Sequence, residues 1–193
     1  MTITITGIAG SLRRGSLNRT LLRAAAQLVP PGAELIIWDE LDRVPPFNED
    51  WETDPAPLAV ARMRQAIAEA DGLLIATPEY NGSIPGQLKN AIDWASRPYG
   101  RGVLQGKPAA VISASPSPRG AAGAAGDLRK LLTIVGASIA DAGLAVPSSF
   151  TQFGPDGLTD PDLTGQLGVV VDSLVQASRV RRAGRLPAAR ALA

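Results

Sequence analysis

Cysteine and histidine are both absent from this chain of 193 residues. Without cysteine there can be no disulfide bond, no thiol nucleophile, no iron–sulfur ligation by thiolates and no cysteine-based zinc site. Without histidine there can be no Ser-His-Asp triad and no imidazole metal ligand or acid–base group. If the protein is an enzyme, its chemistry must come from carboxylates, hydroxyls, backbone dipoles or a bound cofactor. In a redox reaction the cofactor must carry the electrons.

Long apolar runs and a large excess of one charge are absent as well. No apolar run reaches the ~18 residues of a membrane span, and the first residues lack the charged region and apolar core of a signal peptide. We therefore expect no membrane partner and a cytoplasmic location. The formal net charge is +1, from 19 basic and 18 acidic residues.

The basic residues are unevenly placed, because five arginines follow the last acidic residue, Asp172. These are Arg179, Arg181, Arg182, Arg185 and Arg190. A nucleic-acid-binding protein would normally carry its basic residues on a folded face, so we expect no nucleic-acid partner. At roughly 150 residues per domain the length predicts one domain. We place that domain at 1–182 and a basic C-terminal tail at 183–193.

Strand patterns and helix patterns alternate along the chain, which predicts an α/β fold. Five segments have the apolar, β-branched character of strands: residues 2–8, 33–38, 72–77, 109–113 and 139–146. Apolar residues at helical spacing lie between them. This order predicts a five-stranded parallel sheet with helices on both faces. The acidic, proline-containing stretch 39–57 is interpreted as a long exposed connection.

Three polar, glycine-bearing loops follow strands one, three and four, where a ligand would bind in such a sheet. The first, Gly10–Asn18, combines short hydroxyl and amide side chains with Arg13 just before a helix. That combination suits a phosphate group, although serine and asparagine also cap helices that bind nothing. It is not a P-loop, because Ser16 stands where the lysine belongs, and no G-x-G-x-x-G fingerprint follows the first strand.

The other two loops could surround a planar ring. Residues 77–86 present the flat face of Tyr80 within a Pro- and Gly-rich turn, which suits a heteroaromatic ligand; the alternative is an exposed turn before a helix. Residues 113–120 are small and polar and could close over the same ring; the alternative is a flexible linker.

Three segments of the chain together resemble the NAD(P)H-dependent FMN reductase family. They read GSLRRGSLN at 10–18, TPEYNGSIPGQLKNAIDW at 77–94 and GKP at 106–108, and the resemblance covers about residues 3–146. It implies a flavodoxin-like fold and membership of a group that includes quinone, chromate and azo-dye reductases. The third loop departs from the family pattern, since Ser117 and Ala121 replace glycines and Arg119 adds a cation.

The resemblance also implies which residues bind FMN. Ser11, Arg13, Ser16 and Asn18 would bind its phosphate, and Pro78, Glu79, Tyr80, Asn81 and Ser115 would lie along the isoalloxazine ring. With their neighbours Leu17 and Gly82 they form the predicted cofactor site, which includes no metal ligand and no obligatory catalytic side chain. Four further motif residues, Lys89, Asn90, Asp93 and Trp94, are expected to serve structure or subunit packing.

The function that the resemblance implies is FMN-dependent oxidation of NADH or NADPH. A hydride would pass to the flavin, and two electrons would then reach a quinone-like or other small oxidised acceptor in a ping-pong cycle. Family members are commonly homodimers or homotetramers, so we expect one of these assemblies. One alternative is a flavodoxin-type electron carrier without its own NAD(P)H turnover, but such carriers are usually strongly acidic. Another is a phosphate-binding regulatory domain, which would be colourless.

Overall fold

Strands and helices alternate in the computed structural model, which describes residues 2–154 and 157–185. The strands are β1 (Ile3–Ala9), β2 (Ala33–Trp38), β3 (Gly72–Thr77), β4 (Pro108–Ala114), β5 (Ser138–Ile139), β6 (Leu144–Val146), β7 (Phe153–Gly154) and β8 (Gly157–Leu158). The helices are α1 (Leu17–Gln27), α2 (Leu58–Glu69), α3 (Gly86–Ala95), α4 (Ala122–Ile134) and α5 (Pro161–Arg185). Two short 3-10 helices, Leu41–Arg43 and Glu49–Trp51, lie between β2 and α2.

The main sheet is parallel and has the strand order β2-β1-β3-β4-β5, which confirms the predicted α/β, flavodoxin-like fold. Every residue of β3 and of β4 is buried, as their continuous apolar runs require of strands covered on both faces. The chain turns to one side of β1 to form β2 and to the other side to form β3. That reversal creates the crevice at the carboxyl ends of the strands in which ligands of such sheets bind.

The fifth strand position differs from the prediction, because the segment 139–146 forms two short strands instead of one. Both β5 and β6 pair with β4 in parallel, and the chain leaves the sheet between them. Gly143 lies there against the edge of β4, where a Cβ atom would come within 3.1 Å of the carbonyl oxygen of Val111. The break between β5 and β6 thus lies at a contact with another strand. The local sequence does not reveal that contact. The small antiparallel pair β7–β8 was not predicted either.

Two apolar cores lie on opposite faces of the sheet. Helices α1 and α5 pack on one face, where Leu74 and Ile112 point, and helices α2, α3 and α4 pack on the other, where Leu73 and Ile75 point. Successive residues of a strand therefore serve different cores, as the period of two demands. Packing on both faces thus positions the carboxyl ends of the strands, from which the polar loops extend.

The connection 39–57 is exposed over much of its length, yet it is anchored at two apolar points. Leu41 and Val44 are buried against the core that contains α3. The side-chain amide of Gln87 on α3 donates hydrogen bonds to the carbonyl oxygens of both residues, at 2.7 and 2.8 Å. The prediction of an exposed connection is therefore wrong at these two positions, because their burial depends on a helix more than 40 positions away.

The motif residues on α3 serve structure, as expected. Asn90 Nδ2 and Trp94 Nε1 each donate to the carbonyl oxygen of Pro45, at 2.9 Å in both cases. Trp94 is completely buried. Lys89 and Asp93 form an ion pair one helical turn apart, with 2.7 Å between Nζ and Oδ1. These residues hold the long connection and the surface of α3 rather than line a cleft.

Lys107, which belongs to the third matching segment, is buried with 1% of its surface exposed. Its ammonium group donates hydrogen bonds to the carbonyl oxygens of Ala68, at 3.3 Å, and of Ala70. These carbonyls lie at the C-terminal end of α2, where the helix leaves its last acceptors unpaired and carries partial negative charge. Lys107 therefore caps α2 from the loop before β4.

Arg182, near the C-terminal end of α5, contacts the edge of the sheet opposite the carboxyl ends of the strands. Arg182 forms an ion pair with Asp71, with 2.7 Å between Nη2 and Oδ2, and donates to the carbonyl oxygen of Thr2 at 2.6 Å. The helix continues to Arg185, three residues past the predicted domain end, and the remainder of the predicted tail, 186–193, lies outside the described residues. Although α5 has 25 residues, neither it nor another described helix is long and apolar enough to cross a membrane.

Candidate cofactor-binding site

A cleft with about 450 Å³ of empty space opens at the carboxyl edge of the sheet, where the loops after β1, β3, β4 and β6 meet. Nine of the eleven predicted site residues line it: Ser11, Arg13, Ser16, Leu17, Asn18, Pro78, Glu79, Tyr80 and Ser115. The other two, Asn81 and Gly82, form the tip of the turn next to Tyr80. The fold therefore brings together three loops that are far apart in the chain.

The first loop ends at the open N-terminus of α1. Ser16 is the N-cap, and its Oγ accepts a hydrogen bond from the backbone N–H of Arg19 at 3.2 Å. The N–H groups of Leu17 and Asn18 have no acceptor among the described residues. Arg13 is exposed in the same loop. Its guanidinium has no hydrogen-bond or ion-pair partner among the described residues. Open N–H donors, the positive end of the helix dipole and a free cation are what a phosphate group requires.

Asn18 joins the first loop to the end of β4. Its Nδ2 donates to the carbonyl oxygen of Ala114 at 3.0 Å, and its Oδ1 accepts from the N–H of Ala114 at 2.9 Å. The side chain is buried, so these bonds are made away from water. Asn18 therefore positions the start of α1 as well as lining the cleft.

The second loop is a tight turn that presents Tyr80. Tyr80 and Ser83 exchange two backbone hydrogen bonds, of 2.9 and 3.1 Å. Between them Asn81 and Gly82 have φ angles of 51° and 79°, as a type I′ turn requires. The Tyr80 hydroxyl lies 3.4 Å from Ser11 Oγ in the first loop. With 47% of its surface exposed, the phenol ring offers a flat face at the mouth of the cleft.

Glu79 links the second loop to helix α4. One carboxylate oxygen accepts a hydrogen bond from the backbone N–H of Ala124 at 3.1 Å, in the first turn of α4. The N-cap of that helix, Ala121, has no side chain that could do this. The carboxylate of Glu79 thus caps α4, where negative charge is favourable.

The third loop keeps one glycine for a clear steric reason. Gly120 has a φ of 58°, and a Cβ atom there would lie 2.7 Å from the backbone of Val146. Ala121 also adopts a left-handed φ, of 64°, which explains why glycine would suit this position. Ser115 Oγ accepts from the N–H of Ser117 at 3.2 Å and so shapes the loop that lines the cleft.

A fourth segment, outside the three predicted loops, completes the cleft. Ser149 and Phe150 follow β6 and line the cleft together with Ala114 and Pro116. The backbone N–H of Ser149 donates to the carbonyl oxygen of Ser115 at 3.1 Å. The stretch lies past the end of the resemblance and carries no motif. Its position after the last strand of the sheet was the one available signal.

The donor set of the cleft fits FMN. The N-terminus of α1 and Arg13 suit a phosphate dianion, and Tyr80 and Pro78 suit a flat ring. In addition, the Oγ of Ser149 is buried and has no hydrogen-bond partner among the described residues, so a polar atom of a ligand can satisfy it. Among the described residues, no three or more acidic side chains are grouped as a metal site would require.

Comparison with known proteins shows which family the chain is similar to. The sequence model of the family described as NADPH-dependent FMN reductase matches residues 3–151. An NAD(P)H-dependent FMN reductase of Pseudomonas aeruginosa is 48% identical over 133 residues, which cover 69% of this chain and 71% of the relative. A 2-hydroxy-1,4-benzoquinone reductase of a Burkholderia species is 46% identical over 67% of this chain and 69% of its own length. The solved structure of FerB, a flavoenzyme NAD(P)H:(acceptor) oxidoreductase of Paracoccus denitrificans, superposes with a TM-score of 0.84 at 35% identity, covering 93% of this chain and 98% of FerB.

Proposed function

This chain belongs to the NADPH-dependent FMN reductase family, and from that premise we propose that it reduces quinone-like small molecules at the carboxyl-edge cleft. The protein is an oxidoreductase that uses FMN with NAD(P)H as the electron donor. FMN, when bound, would supply the redox chemistry, which is hydride uptake from NAD(P)H and transfer of two electrons to the acceptor. The observation that carries the proposal is the convergence of three separate motif loops on one cleft.

The phosphate of FMN is assigned to the first loop. The N–H groups of Leu17 and Asn18 and the hydroxyls of Ser11 and Ser16 would donate to its oxygens, and Arg13 would balance its charge. Hydrogen bonds to a charged group are roughly twice as strong as those between neutral groups. Arg13 is therefore the side chain on which cofactor affinity should depend most.

The isoalloxazine ring is assigned to the second and third loops. Pro78 and Tyr80 supply apolar and aromatic surface, and the turn at Asn81 and Gly82 supplies backbone polar groups. Ser115 would contact the ring from the opposite loop. Because the carboxylate of Glu79 caps α4, the contribution of Glu79 to the ring would come from its backbone.

The acceptor is assigned to the open mouth of the cleft. Tyr80 and Phe150 line the cleft with 47% and 71% of their surfaces exposed, so they can contact a flat, partly apolar molecule. Relatives named quinone reductases and 2-hydroxy-1,4-benzoquinone reductase support a quinone-like acceptor.

The function is tested by steady-state and rapid kinetics on the purified protein with bound flavin. We expect NADH or NADPH to bleach the visible flavin absorption without oxygen, and 1,4-benzoquinone to restore it. Double-reciprocal plots should be parallel, because donor and acceptor would use the same cleft in turn. A flavin that NAD(P)H does not reduce would instead indicate an electron carrier, and intersecting plots would contradict a shared cleft.

We also propose that the protein is a cytoplasmic homodimer or homotetramer that binds no nucleic acid. The assembly is what the resemblance to the FMN reductase family implies, since members of that family are commonly homodimers or homotetramers. Arg182 is paired with Asp71 and so adds little to a basic surface. Light scattering coupled to size-exclusion chromatography measures the assembly, and a monomer at micromolar concentration would contradict this proposal.

A further inference from the structure

The hydroxyl of Ser149 lacks a partner, although the residue is completely buried. Other buried hydroxyls are satisfied: Thr6 Oγ1 donates to the carbonyl oxygen of Ala66 at 3.3 Å, and Ser113 Oγ donates to that of Gly120 at 2.7 Å. A buried hydroxyl without a hydrogen bond is costly, and a native structure keeps such a group for a reason. The reason here is its position in the wall of the cleft.

The backbone holds Ser149 in that wall. Its N–H donates to the carbonyl oxygen of Ser115 at 3.1 Å, so the residue is tied to the third loop. Ser148, immediately before it, has a left-handed φ of 47°, and its carbonyl oxygen accepts from the N–H of Thr151 at 3.0 Å. The turn is thus closed on itself and fixes the position of Ser149 in the wall of the cleft.

We propose that Ser149 is a further FMN-binding residue, whose hydroxyl forms a hydrogen bond with a polar atom of the cofactor. The inference rests on the assignment of FMN to this cleft. It adds a fourth loop to the three that the motifs indicate, from a stretch outside them. The cofactor-free protein bears the cost of the unpaired hydroxyl, and FMN binding removes it.

The proposal predicts effects of opposite sign for Ser149→Ala. In the cofactor-free protein the substitution removes an unpaired buried group, so the melting temperature should stay the same or rise. In the complex it removes a hydrogen bond, so the dissociation constant of FMN should rise about threefold to tenfold. Differential scanning fluorimetry of the full-length apoprotein and titration of FMN fluorescence measure the two quantities.

Thr6→Val is the matched control, because it removes a buried hydroxyl that already has a partner far from the cleft. It should lower the melting temperature of the apoprotein and leave FMN affinity unchanged. A lower melting temperature for Ser149→Ala would overturn the proposal, since the hydroxyl would then have a structural partner.

Arg13→Ala separates this inference from the assignment of the cleft. If Arg13→Ala weakens FMN binding while Ser149→Ala leaves it within twofold, the proposal for Ser149 is wrong and the cleft assignment stands. If neither substitution changes the dissociation constant, the cleft assignment itself fails, and the proposal fails with it.

Discussion

Asn18 and Ala114 exchange two hydrogen bonds across 96 positions of the chain. A side-chain amide has the same donor and acceptor as a peptide group, so it pairs with the backbone of Ala114 as a neighbouring strand would. The bonds join the start of α1 to the end of β4, and the first and third loops of the cleft extend from these points. The geometry of the site therefore depends on this pair.

Asn18→Ala should lower the free energy of unfolding of the apoprotein by about 1–3 kcal/mol, because it leaves buried backbone groups of Ala114 without partners. Urea denaturation measures the change. Gln27→Ala, at the exposed end of the same helix, is the control. A loss below about 0.5 kcal/mol, the usual effect of a surface substitution, would contradict the role assigned to Asn18.

Arg13→Ala should weaken FMN binding about tenfold to a hundredfold, because a hydrogen bond between a cation and the phosphate is lost. The fold should be unaffected, since Arg13 is exposed. Arg23, which is exposed on α1 and does not line the cleft, provides the control Arg23→Ala. Equal dissociation constants for the two variants would show that the phosphate lies elsewhere.

Tyr80→Ala should lower FMN affinity roughly threefold to tenfold, because it removes an aromatic contact with the ring. Backbone hydrogen bonds close the turn, so the free energy of unfolding should change by less than about 0.5 kcal/mol. FMN titration and urea denaturation test both statements. Tyr99→Ala is the control, since Tyr99 is 89% exposed. Lost stability with unchanged affinity would make Tyr80 a turn residue only.

Lys107→Met should lower the free energy of unfolding by about 1.5–3 kcal/mol, because the C-terminal carbonyls of α2 lose a charged donor. FMN affinity of the folded protein should stay within twofold, since Lys107 lies at the other end of β4 from the cleft. Lys130→Met, at an exposed position on α4, is the control. Weaker FMN binding at full stability would point to a function for Lys107 in the site.

Features that depend on a few consecutive residues could be predicted from the sequence. The buried run 72–77 forms β3, and Ser16 caps α1 just before its first turn. The motif loops also identified nine residues that line one cleft, because in a parallel sheet the loops after neighbouring strands emerge at the same edge.

Other features were decided by contacts between distant parts of the chain. Ser149 lies in the cleft because β6 pairs with β4, and Glu79 caps α4 because the second and third loops are adjacent. The predicted fifth strand splits where Gly143 meets the edge of β4, and the connection after β2 is anchored by Gln87. The sequence alone determined the helices, the first four strands of the main sheet and the polar loops after them, since local propensity and periodicity act within a few residues. Which polar groups end up paired, capped or left open to a cofactor was decided only by the tertiary structure, because hydrogen bonds and steric contacts depend on distances in space rather than along the chain.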